Sequence, residues 1–235
     1  MSEEKILKIY NYAKIIVKRA GFDPYLIYIR DLLGKDFYKF ISLNEFFKQY
    51  VWVVFTSGFN ASIVRKNWGL IKNVLYGLNV EKVCKMNETE LFERIPIKNK
   101  LKICSIIKGS KIITNSWLND IRNANDFEVI KKKLIELPHI SNVTVYHLMR
   151  NIGIDCFKPD RHITNLSNKL NLDTRIIFKI IIKNNREKYI GLADYVLWRA
   201  SSLLGVETLI QYALNEKPCP KIDRSIKEDI NDFML

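Results

Sequence analysis

With 235 residues, nearly half of them hydrophobic and with charges spread along the whole length, the chain can bury a proper core in one large domain or two lobes, which excludes a disordered or fibrous class. Lysine and arginine total 38 against 25 acidic residues, a formal net charge of +13, and a basic excess of that size points to a polyanionic partner, nucleic acid first. Cys84, Cys104, Cys156 and Cys219 form no C-x-x-C pair and the longest apolar runs, Tyr50 to Phe55 and Ile176 to Ile182, are too short for a bilayer, so zinc or iron–sulfur sites and membrane spans have nothing to rest on.

Helical periodicity dominates the predicted elements. Glu3 to Ala20 carries an apolar stripe (Ile6, Leu7, Tyr10, Ala13, Ile16, Val17) with lysines opposite, stopped by Gly21-Phe-Asp-Pro24. Ser42-Leu-Asn-Glu45 reads as a capping box, and the same spacing at Asn87 to Glu90 and Asn125 to Glu128 opens two further helices. Asp126 to Leu137 is an amphipathic helix closed by Pro138, and Asp173 to Asn184, Leu192 to Leu204 and Val206 to Leu214 are three more. Strand-like alternation is confined to Val143-Thr-Val-Tyr146, which its surroundings make helical. The polar tail from Asn215 holds two prolines and is expected to pack loosely. The expectation is an all-α protein of about ten helices joined by short loops.

Two segments carry chemistry. In Leu137-Pro-His-Ile-Ser-Asn-Val-Thr144 a proline-terminated helix, a short turn and a second helix starting near Asn142 or Val143 would leave backbone amides facing outward at the second helix's start. Such amides, with the helix dipole behind them, hold a phosphate without reading sequence. Leu137 and Ile140 would anchor the turn and Thr144 would cap or pack it. Further on, Phe157-Lys-Pro-Asp160 leads into a helix from Arg161 to Leu170, with Pro159 fixing the approach and Asp160 at its N-cap. Taken singly, an αα-hairpin turn and a capping aspartate are both ordinary structural devices.

Together and in this order they resemble the helix–hairpin–helix, Gly/Pro-rich-loop DNA glycosylase superfamily, which includes endonuclease III. Leu137 to Val145 is similar to its L-P-G-V-G-x-x-T-A hairpin, and Pro159-Asp-Arg-His-Ile163 to its V-D-T-H-I segment. More weakly, Trp52-Val-Val-Phe-Thr-Ser-Gly-Phe-Asn60 resembles the helix ending in a base-flipping loop, Ile95-Pro-Ile-Lys-Asn-Lys100 the I-G-L-Y-N-x-K stretch with its wedge residue, and Asp194 to Arg199 a later helix. The resemblance implies two helical lobes, one over residues 41–155 ending in the hairpin and one joining 1–40 to 156–235, with a DNA-binding cleft between them. It implies Asp160 as the catalytic carboxylate. Phosphate or backbone contacts fall to His139, Ser141, Val143, Thr144, Lys158, Arg161, Lys98 and Lys100, and the base pocket or wedge to Trp52, Phe55, Gly58, Phe59, Asn60 and Ile97. The partner would be double-stranded DNA carrying a damaged or modified base. No cofactor, metal or membrane is involved, and the protein would act as a cytoplasmic monomer.

The departures from the pattern are informative. His139 and Ser141 replace both hairpin glycines; histidine tolerates left-handed backbone better than most residues. Val143 stands where bifunctional members carry a nucleophilic lysine, and valine forms no Schiff base, which predicts a monofunctional enzyme without lyase activity. The four-cysteine cluster is absent. Gly58 aligns with a glutamine that fills the gap left by the flipped base, leaving room for a bulky or modified one. His162 is open between a proton shuttle and a packed residue capping a carbonyl, and Tyr50, Trp52 and Phe55 between stacking platform and core. The competing classes are a non-catalytic helix–hairpin–helix DNA-binding protein and a basic helical scaffold.

Overall fold

A computed structural model describes residues 2–184 and 186–221. All regular structure among them is helical: α1 (Glu3–Arg19), α2 (Asp23–Gly34), α3 (Leu43–Thr56), α4 (Ala61–Val74), α5 (Val80–Val83), α6 (Glu88–Arg94), α7 (Lys100–Ile112), α8 (Asn115–Asn123), α9 (Phe127–Ile135), α10 (Thr144–Asn151), α11 (Arg161–Leu170), α12 (Thr174–Lys183), α13 (Ile190–Leu204) and α14 (Val206–Leu214). Two single 3-10 turns complete the set. The helices beyond the ten expected are short or irregular, such as the four-residue α5, and too brief to show a period. No described helix is long and apolar enough to cross a membrane.

The chain forms two compact units, one from its ends (up to Lys35 and from Ile154 onward), the other from Asp36–Gly153. In the second, α3 is apolar on all sides and therefore central. Phe46, Phe47, Tyr50, Val51, Val53, Val54 and Phe55 are wholly buried, and α4, α5, α7 and α10 pack around them. Its start is fixed by Ser42, whose Oγ accepts from the Glu45 amide at 3.2 Å. Tyr50 lies with its hydroxyl 2.8 Å from the carbonyls of both Ser105 and Pro138, tying α3 to α7 and to the chain entering the hairpin. Gly109 makes this approach feasible, because a Cβ there would run into the Tyr50 ring.

In the first unit the stripe Ile6, Ile9, Tyr10, Ala13, Ile16 and Val17 of α1 is buried against α12, α13 and α14. Ile163, Leu166 and Leu170 of α11 join the same core, which is how the helix behind Asp160 is held in place. Each fully buried Ile, Leu or Val side chain contributes roughly 1.5–3 kcal/mol. Arg199, 5% exposed, lies with its guanidinium 4.4 Å from the Phe22 ring centroid and 4.5 Å from that of Trp198, a buried cation held by aromatic faces. The tail is exposed at Asn215, Glu216 and Lys217, and Pro218 receives a 3.4 Å bond from the Tyr12 hydroxyl; the part of the predicted loose tail beyond Lys221 lies outside the described residues.

Candidate nucleic-acid interface and carboxylate

The hairpin of the second unit runs from the end of α9 to the start of α10. Leu137 and Ile140 are buried, as anchors must be. His139 adopts φ +70°, the left-handed conformation that a glycine would take without strain. Ser141 does not. It works through its side chain: Oγ accepts from the amides of Val143 (3.3 Å) and Thr144 (3.2 Å), while its own amide donates to Thr144 Oγ1 at 2.7 Å. The Val145 amide is taken by the Ser141 carbonyl at 2.9 Å. The amides of Val143 and Thr144 are therefore already partnered, by an exposed hydroxyl that a phosphate oxygen would have to displace. Val143, half-exposed, occupies the N-cap position of α10.

The flanking candidates separate into two groups. Trp52 (5% exposed), Phe55 (0%) and Tyr50 (0%) are core, with Trp52 edge-on to Trp68 of α4 at 5.1 Å, so none of them lines an open base pocket. Ile97, 6% exposed, is packed and does not project as a wedge. Asn60 caps α4, its Oδ1 accepting from the Ser62 amide at 2.9 Å. Gly58 has φ +71°, and a Cβ at that position would meet nothing within 4 Å, so its identity answers a backbone requirement rather than a need for room. Gly58, Phe59 and Asn60 are exposed, and Phe59 is the large apolar side chain among them. Lys98 donates to the carbonyls of Phe92 (2.5 Å) and Glu93 (2.7 Å) at the end of α6, which spends it on capping that helix. Lys100 and Arg161 are exposed.

Sequence reading missed Lys102. It is 3% exposed, donates to the carbonyls of Val54 and Ser57 (the latter at 2.6 Å), and lies 3.4 Å from His139 Nε2 and 5.2 Å from the Phe59 ring centroid. It thereby connects the end of α3, the 57–59 turn and the hairpin. Burial lowers its pKa to about 8. Burial, followed by the charge of Lys102, also lowers that of His139. The available signal was its place on the apolar face of α7, in line with Ile106 and Gly109.

In the first unit Asp160 is the N-cap of α11. Its Oδ1 accepts from both the His162 amide (2.9 Å) and the Ile163 amide (3.1 Å), so one oxygen serves the helix. Its Oδ2 has no hydrogen-bond partner among the described residues, and the side chain is half-buried. The approach is fixed from α13. Asp194, 1% exposed, accepts from the Lys158 amide at 3.2 Å, and Asp155 accepts from the Ile190 (3.2 Å) and Gly191 (2.7 Å) amides at that helix's start. Two carboxylates thus bind the segment before Asp160 to α13. Asp194 was legible only as the lone charge in the apolar run Gly191 to Trp198. His162 is half-buried, and burial, outweighing the attraction of Asp160, lowers its pKa, so its ring is neutral at pH 7.

No family model, curated protein or solved structure matches the chain.

Proposed function

We propose that the protein is a monofunctional DNA glycosylase of the helix–hairpin–helix type, acting on duplex DNA that carries a damaged or modified base. The observation that carries this reading is the state of Asp160: one oxygen fixed by two helix amides, the other without a hydrogen bond among the described residues, on a segment pinned to α13. A carboxylate so oriented suits hydrolysis at an anomeric carbon. The target nucleotide leaves the stack, since its glycosidic bond is out of reach inside it. As that bond breaks, its electron pair departs with the base and positive charge develops on the sugar. The Asp160 carboxylate stabilises that charge, then accepts a proton from the water whose oxygen bonds to the anomeric carbon. Phe59 is the side chain suited to enter the vacated stack.

The same geometry is compatible with a binding protein in which Asp160 only caps α11, because both of its hydrogen bonds are cap bonds. Asp160→Asn separates the two readings, since asparagine caps a helix about as well as aspartate. The variant should fold and bind modified duplex with unchanged affinity yet lose excision by about a hundredfold or more. Unchanged excision in that variant would end the catalytic assignment. Lysine is absent from the start of α10, and Lys102, whose pKa is lowered to about 8, is sealed behind two carbonyls. Strand breaks should therefore appear only after alkali, with no borohydride-trapped adduct.

A further inference from the structure

The first unit carries a groove that the excision reading does not use. Its floor is Phe157, Phe178, Ile182 and Ile190, almost wholly apolar, and it encloses about 410 Å³, within the range of ligand clefts. Phe157 and Phe178 stack with centroids 5.1 Å apart and planes 29° from parallel, so Phe178, 2% exposed, backs the half-buried Phe157 ring, which is the aromatic surface the groove presents. Along one lip run Arg175, Lys179 and Lys183 of α12. They stand at successive four-residue steps on one helix face, about 6 Å apart, a spacing close to that of successive phosphates in an extended strand. Lys183 approaches Glu3 at 3.8 Å; among the described residues no carboxylate lines the groove, and Arg175 and Lys179 pair with no acid.

We infer that this groove holds an unpaired nucleobase of a single-stranded segment, the base on the Phe157 ring and its flanking phosphates on the α12 cations. An aromatic floor beside a tracking row of positive charge is how single strands are bound without sequence preference. A bilayer would require the apolar surface to protrude, whereas here it is recessed behind the charges. Phe157 precedes Asp160 by three residues, which places their Cα atoms within roughly 11 Å. A strand opened at Asp160 therefore has a nearby platform for a displaced base.

The test is fluorescence anisotropy with the full chain carrying Asp160→Asn, so that base release does not enter the signal. The probes are a thymidine oligonucleotide of roughly ten residues and the same backbone with every base replaced by an abasic analogue. Binding of the base-bearing strand should be roughly tenfold tighter. Phe157→Leu should erase that preference while keeping the groove apolar, and the surface change Lys179→Glu should weaken both probes, with helicity by circular dichroism as wild type. Equal affinity for the two strands overturns the inference. So does unchanged binding by Lys179→Glu, or a preference for vesicles of anionic phospholipid over either strand. The readout is binding, so a failure here is distinct from a failure of the excision assay.

Discussion

His139 shows how one residue reports a backbone requirement. Its φ of +70° costs an ordinary L-residue about 1–2 kcal/mol, and a β-branched one more. His139→Val should lower the melting temperature, whereas His139→Gly, free of that cost, should melt at or above the wild type; equal melting of both variants would show that the turn has no such demand. The neighbouring Lys102 makes a second residue-scale prediction. Its pKa falls from 10.5 when unfolded to about 8 when folded. Between those values the unfolded chain binds the proton and the folded chain does not, so this group's contribution to stability rises with pH across that window. Relative to the non-titrating Lys102→Met, the wild type should gain melting temperature from about pH 8 to about pH 10, and a difference that shrinks would contradict burial as the cause.

At the scale of elements, most helices were legible because cap and period agree. Asp173 and Ser42 cap where expected, and α11 begins and ends as the apolar spacing of Ile163, Leu166 and Leu170 implies. The box expected at Asn125 starts one residue later: Asp126 is the cap, accepting from the Val129 amide at 2.9 Å. Two adjacent residues able to cap cannot be ranked by spacing alone. The hairpin's left-handed position was legible in His139, but the role of Ser141 was not, because its hydroxyl replaces a glycine's function through a side-chain bond rather than through backbone freedom. Trp52 and Phe55, open in sequence between stacking platform and core, and Ile97 are all buried: a motif match orders residues along the chain but says nothing about which way a helix turns its faces. The bond from the Lys158 amide to Asp194 is likewise invisible in sequence, since 36 positions separate the partners. Its consequence can be tested. Asp194→Ala should lower the excision rate by about tenfold or more with substrate affinity retained, and Asp194→Asn, which keeps an acceptor for that amide, should restore most of it. Equal loss in both variants would assign Asp194 a role other than positioning the segment before Asp160.

At the scale of the whole molecule the decisive property is charge. A net +13 bound to a duplex releases counterions, so affinity should fall steeply and linearly in log–log form as salt rises, for unmodified and modified duplex alike. Affinity indifferent to salt would leave the lysines as solvated surface. Charge supplies attraction without chemistry, and the proposed chemistry rests on Asp160. The most direct measurement is mass spectrometry of the free bases released from a panel of modified duplexes and modified phage DNAs, by the wild type and by Asp160→Asn side by side. Release of at least one modified base by the wild type, and none by the variant at equal DNA binding, is the expected result. Release of no base from any substrate, or equal release by both proteins, would contradict the assignment.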